Sequence, residues 1–143
     1  MQGINGINFG GKHSFHAWGL LLKEAPVVSP PKLKTKLVDV PGADGKLDLS
    51  EVLTGKVQYD MRDITCEFTM MGHRERWPLL YSEILHHLHG VTMEITLDND
   101  QDYYYVGRAE VSKWEPGQAV AEITIKAKVA PYKVNRFDGK KVL

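Results

Sequence analysis

The chain has 143 residues, eighteen Lys plus Arg against eighteen Asp plus Glu, and a formal net charge of zero, so we expect one domain, residues 1–143, able to bury its own core. A hydrophobic fraction of 43% and a charged fraction of 25% exclude global disorder. The balanced charge argues against nucleic-acid binding, which normally demands an excess of Lys and Arg on one face, and does not oppose self-association.

The amino-terminal part of the chain carries weak strand signals. Short apolar runs predict strands at Ile4–Phe9, Trp18–Leu22 and Lys32–Val40. The proline-rich stretch Val27–Lys32 predicts an extended linker between these strands and the rest, because each proline fixes φ and lacks an N–H for pairing.

The following segment, Val38 to Asp63, is rich in turn signals and poor in apolar residues. A long turn-rich excursion inside a compact domain is usually a functional loop or an arm, and the alternative is a mobile surface loop. Its lysines and acids are mixed, which suits contact between copies of one chain. We predict an arm over residues 38–63 that contacts a neighbouring subunit. The candidate interface residues are Pro41, Gly42, Asp44, Asp48, Leu49, Glu51, Leu53 and Gly55.

Alternation of apolar and polar residues dominates the rest of the chain. It predicts strands at Ile64–Met70, Val91–Leu97 and Ala121–Val129, each with one buried and one solvated face. A weaker strand is predicted at Tyr103–Lys113. The turn sequences DNDQD at 98–102 and EPGQ at 115–118 separate the last three strands, which should form a meander.

A single amphipathic helix is predicted over residues 77–89. Trp77, Tyr81, Ile84 and Leu88 share one helical face, Pro78 falls in the first turn, and a glycine follows the last turn. One such helix needs one apolar surface to cover. The fold class is therefore mainly β, a β-sandwich or barrel-like domain with one amphipathic α-helix packed on it and a turn-rich arm.

Metal and catalytic motifs are weak. His86, His87 and His89 cluster at the helix end with Glu83 nearby, but a di-iron site needs the Glu-x-x-His pair twice and partner helices. Histidines there also complement the helix dipole. The aspartates of the 98–102 turn lack the glycine and distal glutamate of a calcium loop, so a solvated hairpin tip is favoured.

Nucleophile and nucleotide-binding motifs are absent from the sequence. Cys66, the only cysteine, lies on the apolar side of its strand and is expected to be buried and inert. We expect no catalytic residue, no metal and no cofactor. No run approaches the roughly 20 apolar residues of a membrane span, and the amino terminus lacks the features of a secretory signal, so assembly in a cytoplasm is expected.

Aromatic residues mark a second candidate contact surface. Tyr103, Tyr104 and Tyr105 are consecutive on a predicted strand, where successive side chains point to opposite faces, and Trp114 follows. Tyr and Trp are the residues that anchor interfaces. We expect core packing on one face and partner contact on the other, with stacking against sugar rings as the alternative.

Four segments together resemble the distal tail protein family of long-tailed phages and prophages. They are FGGKHSFHAWGLLL, VDVPGADGKLDLSEVLTGKVQYDMRDITCEFTM, RERWPLLYSEILHHLHG and DYYYVGRAEV, and they extend over nearly the whole chain. The strongest elements are Pro41–Gly55, the helix that contains Trp-Pro, and the Tyr-rich strand after it.

The resemblance implies a non-enzymatic virion protein of the tail tip or baseplate, with a β-sandwich domain and one helix. Copies of that domain form a hexameric ring that docks the tail tube protein on one side and the tail-associated hub or fibre protein on the other, and DNA passes through the central channel. Alternatives are a tube subunit, a tail completion protein or a carbohydrate-binding module. Many members continue into a second β domain, whereas this chain stops near the end of the first, so it resembles either the short form or a truncated form.

Overall fold

The computed structural model describes residues 6–34, 37–39, 41–42, 45–48 and 58–143. Two short 3₁₀ turns, Arg74–Arg76 and Asp98–Asp100, accompany its strands and α-helices. The strands are β1 Ile7–Phe9, β2 Lys12–His13, β3 Leu20–Leu22, β4 Val27–Val28, β5 Leu37–Asp39, β6 Lys46–Asp48, β7 Arg62–Met70, β8 Thr92–Leu97, β9 Tyr103–Pro116, β10 Ala121–Val129, β11 Lys133–Asn135 and β12 Lys141–Val142, and the helices are α1 Ser14–Trp18 and α2 Trp77–Leu88.

Ten of these strands form one antiparallel sheet that curls into a half-barrel. The order along the sheet is β2-β1-β8-β9-β10-β7-β3, with β4 paired to β7, β11 to β9 and β12 to β11. Strands β8, β9 and β10 are successive neighbours, so the predicted meander is confirmed. Strands β5 and β6 pair with each other in a separate hairpin.

The core lies on one face of this sheet. Ile123 of β10 stands opposite Phe68 of β7, Ile125 stands opposite Cys66, and all four side chains are buried. Each fully buried large apolar side chain contributes roughly 1.5–3 kcal/mol relative to an exposed one. The mainly β class with a helix packed on it is confirmed.

Helix α2 covers this core face, as its periodicity predicts. Trp77, Ile84 and Leu88 are buried, and Pro78 lies in the first turn, where a missing N–H costs nothing. The helix ends because Gly90 adopts a φ of 78°, a left-handed conformation that glycine reaches without strain.

The amino-terminal strands differ from the prediction. Trp18 was expected in a strand but ends the short helix α1, and Gly19 stops this helix with a φ of 70°. The helix begins because the His13 side chain accepts hydrogen bonds from the first free N–H groups. The expected linker at Val27–Lys32 is wrong at its start, since Val27 and Val28 pair with β7.

Two turn regions also differ. Val91 was expected on the buried face of a strand but is 44% exposed, because β8 begins only at Thr92. Strand β9 continues to Pro116, and the turn follows it, where Gly117 N–H donates to the Val120 carbonyl at 2.9 Å.

Candidate interaction surfaces

The three consecutive tyrosines divide between the core and a covered surface. Tyr105 is 5% exposed and belongs to the core, with the Arg62 guanidinium 5.8 Å from its ring centroid. Tyr103 and Tyr104 are half-buried. The Tyr105 side chain therefore packs in the core, as was expected for one face of this strand.

Tyr103 and Tyr104 are covered by cations from the carboxy-terminal hairpin β11–β12. Lys133 Nζ lies 4.6 Å from the Tyr103 ring centroid, and the Arg136 guanidinium lies 5.6 Å from that of Tyr104. Arg136 also donates to Thr96 Oγ1 at 2.8 Å and to the Gln101 carbonyl at 3.0 Å. The hairpin thus places one cation over a face of each of these two tyrosine rings.

The turn at 98–102 is tied into the fold through Asp98 and Asp100, while Asn99, Gln101 and Asp102 are exposed, as expected of a hairpin tip. Asp100 Oδ2 accepts from Lys133 Nζ at 2.5 Å, and the Asp100 side chain is 30% exposed. Asp98 Oδ2 lies 2.7 Å from His13 Nε2 and accepts from the Gly6 N–H at 2.9 Å. These contacts join the amino-terminal and carboxy-terminal segments to one turn.

Trp114 forms the wall of an aromatic cleft between α2 and the end of β9. Its ring stacks on Tyr81 with centroids 4.5 Å apart and planes at 5°. An extra residue, Ser112, bulges out of β9 opposite β10, and this places both Val111 and Trp114 on the core side of the sheet. The cleft has a volume of about 670 Å³, and its lining residues are Arg74, Glu75, Trp77, Pro78, Tyr81, Ser82, Trp114 and Pro116.

Trp77, one of the residues that line this cleft, carries an unpaired donor. Its Nε1 is buried and is the one such side-chain polar atom without a hydrogen-bond partner among the residues that the structure describes. The Arg74 guanidinium lies 5.7 Å from the Trp77 ring centroid. An unpaired buried N–H is costly and marks a place where an acceptor would be stabilising.

The opposite face of the sheet bears a shallow groove of about 810 Å³ with charges of both signs. Asp63 and Glu110 line it together with Arg108, Lys126 and Lys128. Lys126 stands opposite Glu110, and Lys128 stands opposite Asp63. Each of these lysines thus has an acidic neighbour across one strand pair, whereas Lys128 also stands opposite Arg108 of β9. The groove is therefore a polar surface of mixed charge.

Only part of the predicted arm falls in the described residues. Pro41 and Gly42 form an exposed turn between β5 and β6, where Gly42 has a φ of 81°, and Asp48 ends β6. The register pairs Leu37 with Asp48. The other candidate interface residues lie outside the described residues. They are Asp44, Leu49, Glu51, Leu53 and Gly55.

The histidines at the end of α2 hold neighbouring backbone. His87 Nε2 donates to the Phe9 carbonyl at 2.6 Å, and its ring packs edge-on against Trp18. His89 Nδ1 accepts from the Val111 N–H at 3.1 Å. Within the described ranges, no group of three His, Cys, Asp or Glu side chains could hold a metal ion.

His13 is held by three contacts that fix its tautomer. Nδ1 accepts from the N–H groups of Phe15 at 3.1 Å and His16 at 3.3 Å, so the proton is on Nε2, which donates to Asp98. The beginning of α1 therefore depends on a contact with a distant turn, which no local sequence signal could have revealed.

Cys66 is buried in the core, as its place in the alternation predicts. Burial raises the pKa of its thiol to about 12, because the thiolate would lose its hydration there. A neutral, buried thiol is a poor nucleophile.

The helices of the described residues include none with the length and apolar character that a bilayer crossing requires.

The fold places the chain in a class: it is a curled β-sheet domain with one packed helix, of the kind seen in a phage distal tail protein. The solved structure that shows this is the crystal structure of SPP1 Dit (gp 19.1), described as a paradigm of the hub adsorption apparatus in phages that infect Gram-positive bacteria. It matches 93% of this chain with a TM-score of 0.73 at 16% sequence identity. The fold expected from the resemblance is thereby confirmed.

The match covers only part of the SPP1 Dit chain. This chain spans about half of the SPP1 Dit chain, 53% of its length. Neither a protein-family model nor a curated protein matches the sequence.

Proposed function

We propose that this chain is a structural protein of a phage tail tip or baseplate and acts without catalysis. The observation that carries the proposal is the shared fold with SPP1 Dit, with a TM-score of 0.73 over 93% of the chain. The buried thiol of Cys66 and the backbone-bound His87 and His89 are also consistent with a scaffold, since each is engaged in the fold.

In this proposal, copies of the chain form a hexameric ring at the tail tip of the virion, assembled in the host cytoplasm. The ring joins the tail tube protein to the tail-associated hub or fibre protein, and DNA passes through it as cargo. A formal net charge of zero suits a protein that lines a DNA channel, because a surface rich in Lys and Arg would bind the phosphates of the passing DNA.

The arm at residues 38–63 is proposed to contact the next subunit. A ring requires a heterologous interface, in which one patch meets a different patch on the neighbour. The hairpin of β5 and β6 supports this role, because it forms a sheet of its own apart from the ten-stranded one.

The mass of the protein in solution, followed by electron microscopy of the same sample, tests the proposal. A particle near six times 16.1 kDa with a central channel is the expected result. The sample should be measured alone and after mixing with tail tubes, because a tube can template the ring. A closed assembly without a channel, or no binding to tube ends, would contradict the proposal.

A further inference from the structure

We propose that the aromatic cleft between α2 and the end of β9 binds the proline segment, residues Ser29–Lys32, of a second copy of this chain. The inference deepens the self-assembly proposed above and rests on it for its role in a tail. It adds a second, separate contact between copies to that of the arm.

The cleft has the composition of a proline-binding groove. Tyr81 stacks on Trp114 with ring centroids 4.5 Å apart and so holds the indole in the wall of the cleft. Pro78 and Pro116 line the cleft beside this pair. Grooves walled by aromatic side chains are the usual receptors for proline-rich segments in polyproline II conformation.

The unpaired indole N–H of Trp77 calls for an acceptor at this place. Its Nε1 is buried without a partner, and Trp77 is one of the residues that line the cleft. Proline segments present carbonyl groups without competing N–H donors, because proline has none. A small opening at Trp77 would let such a carbonyl accept this hydrogen bond, which would remove the penalty of an unpaired donor.

The proline segment is held in place on the surface of its own copy. Ser29 N–H donates to the Asp63 carbonyl at 2.9 Å, and Asp60 N–H donates to the Lys32 carbonyl at 2.7 Å. Between these two points Pro30 is exposed. A segment ordered in this way loses little conformational entropy on binding, which favours association.

The two surfaces lie at opposite ends of one strand. The proline segment is bonded to Asp63 at the beginning of β7, whereas the cleft begins at Arg74, shortly after β7 ends at Met70. The nine residues of β7 span roughly 30 Å. A copy therefore cannot fill its own cleft, and the segment that binds there comes from another copy.

Acidic residues that could pair with lysines lie in and beside the cleft, together with one cation, Arg74. Lys32 and Lys34 follow the proline pair and are exposed. Glu75 lines the cleft, and Glu115 and Glu122 line the adjoining surface. The ion pairs of Glu115 with Lys113 and of Glu122 with Lys23 are exposed, and such pairs exchange partners at little cost.

Disulfide trapping between copies tests this contact. A Pro30→Cys chain is mixed with a Pro116→Cys chain under mild oxidation, and the mixed dimer is measured on a non-reducing gel. Buried Cys66 gives no background in the folded protein. The matched control replaces Pro116→Cys by Lys126→Cys, an exposed position on the other face of the sheet. We expect at least a fivefold higher yield for the first pair, and equal yields would overturn the inference.

Competition identifies the occupant. Excess synthetic peptide VVSPPKLK, residues Val27–Lys34, should reduce trapping, while the same peptide with both prolines replaced by alanine should not. A Trp114→Ala change in the Pro116→Cys chain should lower the yield, with circular dichroism checking the fold. Equal effects of the two peptides, or competition by an oligosaccharide panel alone, would overturn the inference.

Different results would contradict the tail role and the contact between copies. Hexamers in virions without trapping would keep the tail role and reject this contact. Trapping by a protein that is absent from virions would keep the contact and reject the tail role.

Discussion

His13 donates from Nε2 to Asp98 Oδ2 at 2.7 Å and so joins two residues that lie 85 positions apart in the chain. The same ring accepts the first free N–H groups of α1 through Nδ1. We expect His13→Ala to lower the free energy of unfolding by about 1–3 kcal/mol, since it removes a helix cap and a partly buried hydrogen bond to a carboxylate. Urea unfolding followed by tryptophan fluorescence measures this loss.

Two control variants separate the parts of this effect. His13→Asn keeps a capping oxygen but is too short to reach Asp98, so it should recover only part of the lost stability. His16→Ala removes the exposed ring that packs on His13 and should cost well below 1 kcal/mol, as surface changes do. A loss at His16 equal to that at His13 would contradict the assignment.

Gly107→Ala should be strongly destabilising for steric reasons. A Cβ at this position would lie 2.1 Å from the Lys128 carbonyl oxygen, which is backbone of the neighbouring strand β10 and cannot turn away. Overpacking of this kind costs roughly 1–3 kcal/mol or more. The control is Gly139→Ala, which has open space around its Cβ but a φ of 72°, so it reports backbone strain alone. Thermal unfolding should rank Gly107→Ala below Gly139→Ala, and the reverse order would refute the close approach.

The buried thiol of Cys66 should make the stability of the fold depend on pH in the alkaline range. The pKa of the thiol is about 12 in the fold and 9.0 without it. The contribution of the neutral buried thiol is fully present below pH 9 and is lost as the pH rises toward 12, by up to about 1.4 kcal/mol per pH unit. Wild type should therefore lose stability against Cys66→Ala over this range, as urea unfolding at several pH values would show. Parallel pH profiles would mean that the thiol is not protected.

Arg136 holds the carboxy-terminal hairpin against β9. Arg136→Ala removes the bonds to Thr96 and to the Gln101 carbonyl and uncovers the Tyr104 ring. We expect amide exchange to quicken tenfold or more in β11 and β12, with a global loss of about 1–2 kcal/mol. Lys140→Ala, an exposed change in the same hairpin, is the control and should leave exchange unchanged. Exchange that quickens equally in β7 would show that the effect is not local.

Replacing Pro41–Gly55 by a short Gly-Ser linker tests the arm. The ten-stranded sheet does not include β5 or β6, so we expect a folded monomer with nearly unchanged stability that no longer assembles. A linker of the full original length is the control for chain length. Light scattering that still showed the parent oligomer would show that assembly does not require the arm.

The sequence predicted the features that depend on local patterning. β10 begins and ends at the predicted residues, Ala121 and Val129, because strict alternation marks a strand with one buried face. Helix α2 and its end at Gly90 follow from periodicity and from the conformational freedom of glycine. Both are properties of short, contiguous segments.

Features that depend on distant partners were not predictable in the same way. Helix α1 has five residues, and its cap is His13, which is not among the favoured capping residue types. The cations over Tyr103 and Tyr104 come from about thirty residues further along the chain. No periodicity records such pairings, because they arise only when the sheet brings separate segments together.

The extra residue at Ser112 decides which side of the protein carries the aromatic cleft. Beyond it, the inward and outward positions of β9 exchange, so Trp114 stands with buried Ile123 instead of with the solvated residues of the other face. Removal of this one residue would restore regular alternation and turn Trp114 outward, away from Tyr81. The side of the sheet on which any contact through this cleft is made therefore depends on the length of the strand as well as on its side chains.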